Sequence, residues 1–358
     1  MSGQRSLVNG LASPDDVPAP AGAEVTAFHA ALPGYAPTPL RDLPAEAEAL
    51  GIASLRYKDE SDRFGLPAFK ILGASWAIEL VLREQPGVRT LIAASEGNHG
   101  RAVARAARMR GLASRIFLPD HTSADRARLI AEEGAEVIRV QGTYEQAVAT
   151  ADADAAVSGG VVIADVAYEP DARVPAWVTD GYSTIFREAA AQARHPFDLV
   201  FTQIGVGSFA AAGVGFALHQ SPRGHAVGVE PETAACALAS LAAGRPVVIE
   251  TPGTSMAGLN CGTPSAVAWP TLRAGLTGCI AVSDAEARMA MRDLAALGLT
   301  VGDCGASPLA ALRALATDDG CADLRDAVGL SSATRVLLVA TEGASDPAAY
   351  AATISAEE

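Results

Sequence analysis

Only two lysines occur in this chain, Lys58 and Lys70, among 27 Lys and Arg residues. Arginine holds the ordinary cation positions, so a retained lysine suggests a task that arginine cannot perform. That task is to lose a proton near neutral pH and form a Schiff base with a carbonyl carbon. Lys70 stands in PAFKILGASW, flanked by Phe69, Ile71 and Leu72. Apolar neighbours desolvate an amine, lower its pKa and make it nucleophilic. A lysine snorkelling at a helix start fits the same local sequence. Lys58, in the charged run RYKDESDR, reads as a solvated or ion-paired side chain.

Four further stretches hold residue types that do chemistry. Ser95-Glu96-Gly97-Asn98-His99-Gly100 lies where a strand turns into a helix. Its glycines let backbone approach a ligand, and a helix N-terminus favours an anion such as a carboxylate. Capping by Ser95 or Asn98 is the plainer reading of the same residues. Gly205-Val206-Gly207-Ser208 follows a strand and opens a helix, an arrangement that cradles a phosphate on backbone N–H groups. With Phe209 and Ala210 it also satisfies GxGxxA, and Glu230 ends the next strand. That is the dinucleotide fingerprint, and it keeps open a rival reading as a nicotinamide-dependent oxidoreductase. Asp165, ending GVVIAD, is a candidate general base or a simple cap. Thr341, in TEG, offers a hydroxyl to a heterocycle nitrogen or merely forms a turn.

The elements that must position these groups alternate. Short apolar runs at 90–94, 114–118, 135–140, 160–164, 198–204, 225–229, 278–282 and 335–340 read as strands. Helical stretches are expected at 72–84, 99–110, 123–133, 143–156, 177–194, 208–218, 232–243, 284–297 and 306–316. Strand–helix–strand repetition predicts an α/β fold with parallel-type sheets covered by helices on both faces. The strand count suggests two lobes, the smaller inserted in the larger. We expect residues 26–88 and 197–358 to form the larger domain and 89–196 a smaller, mobile one, with 1–25 a mobile tail rich in Pro, Ala and Asp. Residues 165–176 read as a hinge or lid. SEGNHG, GVGS and TEG all fall at the carboxyl ends of strands, where ligands bind in open α/β sheets.

Composition narrows the function classes. A formal net charge of −14 argues against nucleic acid and anionic membrane surfaces. No apolar run reaches the 18 or so residues of a membrane span. The five cysteines form no CxxC pair and the six histidines no HExxH spacing, so no metal site is expected. An odd cysteine count fits a reducing cytoplasm.

Taken together, these residues resemble pyridoxal-phosphate enzymes of the tryptophan-synthase-β type (fold type II), and more closely the diaminopropionate ammonia-lyase family. The matching stretches include KDESDRFGLPAFKILGAS (58–75), SEGNHGRAVA (95–104), QIGVGSFAAA (203–212), TSMAGLNCGTPSAVAW (254–269) and LLVATEGASDPAAY (337–350). The KDES…RFGL…AFK and MAGL…CG…AW blocks are more specific than any glycine loop. The resemblance implies pyridoxal 5'-phosphate, with Lys70 its Schiff-base lysine and Asn98 beside its phenolic oxygen. Gly205, Val206, Gly207 and Ser208 match the phosphate loop and Thr341 the partner of the pyridine nitrogen. Substrate is expected at Ser95, Gly97, His99 and Met256. Asp165 matches one of two acidic bases; the second is an aspartate in the family pattern but is Glu96 here. Asp303-Cys304 replaces the family's more usual Glu-Ser, with Cys304 expected to pack as a hydroxyl-sized residue. Cys236 and Cys261 match cysteines of the family pattern.

The implied activity is α,β-elimination of 2,3-diaminopropionate to pyruvate and ammonia by a cytoplasmic homodimer acting on a small amino-acid substrate. Alternatives on the same chemistry are a serine, threonine or hydroxyaspartate dehydratase and a β-replacing synthase. An inert homologue acting as a binding protein is a third, weaker possibility.

Overall fold

The computed structural model describes residues 4–356. Eleven strands build two sheets: β1 (Ser6–Val8), β2 (Leu40–Asp42), β3 (Ser54–Asp59), β4 (Thr90–Ala94), β5 (Ala113–Pro119), β6 (Glu136–Val140), β7 (Val161–Val162), β8 (Leu199–Gln203), β9 (His225–Pro231), β10 (Gly278–Val282) and β11 (Arg335–Ala340). The larger sheet runs β1-β10-β9-β8-β11-β3-β2 and the smaller β6-β5-β4-β7. All pairs in the small sheet are parallel. In the large sheet only the edge pairs, β1 with β10 and β2 with β3, are antiparallel.

The central strands are apolar throughout because helices cover both faces. In β11, Val336 and Leu338 pack into one core while Leu337 and Val339 pack into the other. Such continuous apolar runs mark strands buried on two sides. A third, smaller core under the small sheet joins Ile92 and Phe117 to Ala147 and Ala151 of the helix Tyr144–Ser158. That helix starts on a capping box made by Thr143 and Gln146.

Four differences from the sequence reading have clear causes. Residues 1–3 lie outside the described residues, but the rest of the expected mobile tail is tied down. Ser6 pairs with Ile280, and Arg5 donates to the Ala281 carbonyl at 2.9 Å and pairs with Glu286. Strand β3 was hidden because KDE looks like a solvated run. Yet Lys58, Glu60, Arg63 and Glu188 are all buried and neutralise one another. The helix expected over 177–194 is two helices, Arg173–Gly181 and Ser183–Gln192, broken at Tyr182. Both were assigned to the small lobe. Instead they pack on the large sheet's covering: Phe186 stacks against Phe216, and Glu188 pairs with Lys58.

Among the described residues no helix is long and apolar enough to cross a membrane.

Candidate active site

In the large sheet the chain leaves β8 towards β9 on one side, while β11 lies on the other. The crevice between such strands is where ligands sit in open α/β sheets. The loops after β8 and β11 are Gly205–Ser208 and Thr341–Gly343. A third segment joins them. Residues 67–69 run beside 341–343, with Phe69 N donating to Thr341 O and Gly343 N to Pro67 O. Lys70 comes next and starts the helix Ile71–Glu84.

A tight turn feeds this segment. Arg63 and Leu66 exchange backbone hydrogen bonds, and Phe64 and Gly65 take positive φ values of 58° and 73°. Glycine tolerates that region; a phenylalanine there is strained and must be held by its surroundings. Arg105 Nη1 holds it, donating to Phe64 O at 2.7 Å.

Lys70 Nζ donates to Asp165 Oδ2 at 2.7 Å. His99 Nδ1 lies 3.6 Å from the same oxygen, and its Nε2 donates to Ile163 O at 2.7 Å. Ser208 Oγ donates to the Asp165 carbonyl at 2.7 Å, tying the phosphate-type loop to the acid. Burial works against both charges of the Lys70–Asp165 pair, but attraction wins. Burial pushes the Asp165 carboxyl up; the His99 and Lys70 charges pull it well below the usual carboxylate range. Burial lowers the Lys70 amine, and Asp165 holds it well above the usual lysine value. Apolar burial does lower the amine as expected, but in the cofactor-free site the Asp165 charge outweighs it and favours the ammonium form.

Asn98 begins the helix Asn98–Met109 and reaches across to the larger sheet's loop. Its Nδ2 donates to Glu342 Oε2 at 2.8 Å and to Ser345 Oγ at 3.1 Å. Ser95 Oγ accepts from Gly97 N and Gly100 N, shaping the turn at that helix start. Glu96 Oε2 accepts from Thr122 Oγ1 at 3.3 Å and is not hydrogen-bonded to the Lys70–Asp165 pair. Thr341 is buried, and Gln203 lies beneath it. The Gln203 amide donates to Val339 O at 2.7 Å and Cys304 O at 3.1 Å, with Thr341 Oγ1 at 3.5 Å.

Met256 is a correction. Its side chain is fully buried in the core with Val229 and Val282, so it presents no surface to a substrate. Glu230 is equally removed from the ribose role of a dinucleotide site. It is sealed under the sheet, accepting from Ala237 N at 2.7 Å and Leu238 N at 2.8 Å, and burial pushes its carboxyl up to about 7. Cys304 is buried and packs against Gly258. Cys236 and Cys261 are free thiols. Among the described residues, Asp303, Cys304 and Glu342 form the one group of metal-ligand types at ligand spacing, within 4.8 Å of one another. Burial and then the Glu342 charge push Asp303 up to about 7.

This fold and site define a class. The family model described as pyridoxal-phosphate dependent enzyme matches residues 31–342, and the chain belongs to that family. Within the class it is similar to the diaminopropionate ammonia-lyase of Salmonella typhimurium, 34% identical over 92% of this chain and 90% of the relative. The solved Escherichia coli diaminopropionate ammonia-lyase in complex with D-serine superimposes with a TM-score of 0.90, is 30% identical, and covers 98% of this chain and 96% of that one. A second structure of that enzyme, with an aminoacrylate-PLP azomethine reaction intermediate, matches equally well. The fold is fold type II, and the nicotinamide reading is set aside.

The residues present fit the cofactor. Gly207 takes a φ of 99°, and a Cβ there would meet Leu272 at 2.7 Å; a Cβ on Gly205 would meet the Gly258 carbonyl at 2.7 Å. Both positions demand glycine, and the resulting loop leads into the N-terminus of the helix Ser208–Gln220. Such a loop at a helix N-terminus would offer backbone N–H groups to an anion.

The sequence reading missed three residues of this neighbourhood: Glu342, Gln203 and Tyr182. Glu342 and Gln203 lie inside the quoted stretches LLVATEGASDPAAY and QIGVGSFAAA, but neither was given a role. Tyr182 lay inside an expected helix and gave no signal.

Proposed function

We propose that this chain is a pyridoxal-phosphate-dependent ammonia-lyase that converts 2,3-diaminopropionate to pyruvate and ammonia. The observation that carries this reading is full-length similarity to diaminopropionate ammonia-lyases, with a TM-score of 0.90 over 98% of the chain. In this reading Lys70 holds the cofactor aldehyde, Gly205–Ser208 its phosphate, Asn98 its phenolic oxygen and Thr341 its pyridine nitrogen. The bound cofactor supplies the electron withdrawal that makes the substrate Cα–H acidic. Everything else falls to the chain's own side chains.

The substrate carboxylate docks at the turn Ser95–His99, at the N-terminus of the helix Asn98–Met109. Lys70, once released, or Asp165 takes the Cα proton. The two are 2.7 Å apart, so a proton on either is shared by the pair. The Cβ–N bond then breaks and ammonia leaves. Aminoacrylate is released and hydrolyses to pyruvate and a second ammonia. Asp165 and Glu96 suit a substrate with a second cationic amine, which serine and threonine lack. Glu96 acts toward one substrate enantiomer and Asp165 toward the other. The small sheet and its helices form the mobile lobe, and Asn98 links it to Glu342.

The active form is a cytoplasmic homodimer in this proposal. Five free cysteines support a reducing compartment; the dimer rests on family resemblance and is read by sedimentation. The deciding experiment is turnover of L- and D-2,3-diaminopropionate beside serine and threonine, with keto acid and ammonia both measured. Two ammonia per pyruvate from diaminopropionate supports the reading. Keto acid from the hydroxy amino acids alone replaces it with a dehydratase.

A further inference from the structure

Of the two candidate caps in SEGNHG, it is Ser95 that shapes the helix start, accepting from Gly97 N and Gly100 N. Asn98 is the first residue of that helix, and its side chain crosses to the loop after β11. Both N–H bonds of its amide are used there. Nδ2 donates to Glu342 Oε2 at 2.8 Å and to Ser345 Oγ at 3.1 Å. Ser345 Oγ donates in turn to Glu342 Oε2 at 3.0 Å. The three side chains close a ring in which the carboxylate only accepts. Turning the Asn98 amide over would set its Oδ1 against that carboxylate, acceptor against acceptor. Glu342 thus fixes which end of the amide faces the loop.

Glu342 is itself held. Its backbone carbonyl accepts from Gly302 N at 3.0 Å, and a Cβ on Gly302 would meet Glu342 Cγ at 3.1 Å and Oε1 at 3.3 Å. A Cβ on the next residue, Gly343, would meet Ser61 Cβ at 2.9 Å. Close packing on both sides restricts the course of the Glu342 side chain.

We propose that Glu342 is a positioning residue for Asn98: its carboxylate keeps one amide N–H and so presents the other to the phenolic oxygen of the cofactor. The inference rests on Asn98 lying beside that oxygen, as proposed above. Of the two bonds in the cofactor-free site, the one to Ser345 is longer and ends on a neutral oxygen, so it is the one given up. The bond to Glu342 is charge-assisted, the stronger kind, and stays. No proton moves. Asn98 follows β4 of the small sheet and Glu342 follows β11 of the large one, so the same bond sets one half of the site against the other.

The test is a double-mutant cycle with Asn98→Ala and Glu342→Ala. It is read by titrating the visible band of the cofactor and by melting the cofactor-free proteins. Glu342 also lies beside Asp303 and Cys304, so its truncation has effects that do not pass through Asn98. The cycle removes them. We expect Glu342→Ala to weaken cofactor binding about tenfold when Asn98 is present, and hardly at all when Asn98 is already alanine. The visible maximum should move in the same direction in both single variants, because the phenolic oxygen has lost its donor in each. Melting losses in the cofactor-free proteins should be non-additive too, since the bond is present there. Equal costs of Glu342→Ala in the two backgrounds, additive melting losses, or a Glu342→Ala band at the wild-type position overturns the proposal. If Asn98→Ala itself leaves affinity and band unchanged, the placing of Asn98 fails and the proposal falls with it. If Asn98→Ala changes both and Glu342→Ala neither, only the role of Glu342 fails.

Discussion

Replacing Glu188 with glutamine should loosen the Lys70 segment without touching Lys70. The Glu188 carboxylate accepts five hydrogen bonds: from Tyr35 Oη at 2.7 Å, Thr38 N at 3.1 Å, Lys58 Nζ at 2.6 Å, and Arg63 Nη1 and Nη2 at 2.8 Å each. Burial pushes this carboxyl up, but Arg63 and Lys58 hold it below its ordinary value. With Glu60 the cluster is two cations and two anions, all buried. Glutamine leaves a net positive charge in the interior. Its NH2 group also faces an arginine N–H whichever way the amide turns, because each carboxylate oxygen accepts from Arg63. Breaking a buried pair on one side costs about 3–5 kcal/mol. For a chain this long, about 2 °C per kcal/mol gives a fall in melting temperature of roughly 6–10 °C.

The effect reaches the site through Arg63, which starts the strained turn leading to Lys70. Cofactor affinity should therefore fall with stability, measured by thermal melting and by titration of the visible band. The sign with pH follows from the depressed carboxyl. The stability Glu188 contributes is present above its unfolded pKa and is lost as pH falls through the folded one. The gap between variant and wild type therefore narrows in acid. Pairing Glu188→Leu with Lys58→Met removes one charge of each sign and should recover part of the loss. A Glu188→Gln melting temperature within about 1 °C of wild type would refute the claim that this cluster anchors the segment.

Other expectations follow from the same geometry. Asp165→Asn should lower kcat by about 10²–10⁴, the range for a lost acid–base group, and should leave Lys70 more reactive toward acylation because the charge raising its pKa is gone. Glu96→Asp moves a carboxylate by about 1 Å, which can change a rate roughly 100-fold; the ratio of turnover on the two diaminopropionate enantiomers reads it. Asp303 is held up to about 7 by burial and by Glu342. As pH rises past the ordinary aspartate range the unfolded chain ionises first, so stability is lost up to about pH 7. Asp303→Asn should therefore melt higher than wild type at pH 8 and show no such gain at pH 4.

The central strands and their order of appearance were legible because β8, β9, β10 and β11 are apolar on both faces. Lys70, Asp165 and the glycine loop stood out in the sequence by rarity, motif and strand-end position, and the structure brings them together. What stayed hidden was chemistry that only tertiary structure reveals. Lys58 read as solvated or ion-paired, and the sequence could not show that its partner is Glu188, 130 residues away, which also meets Arg63 of the same charged run in the interior. The break at Tyr182 carries no proline, and its glycine serves helix contact as much as chain reversal. Met256 sits in a family motif, but its side chain turns into the core; motif membership alone does not say which way a side chain faces. Glu96 shows the converse, with its place in the motif clear and its partner, Thr122, supplied by another loop.

The most direct test of the account is borohydride reduction of the cofactor-loaded protein followed by peptide mapping. The visible band should vanish, and the phosphopyridoxyl group should be found on the peptide carrying Lys70 and not on the one carrying Lys58. An unmodified Lys70 in protein that has bound and reduced the cofactor would contradict the account.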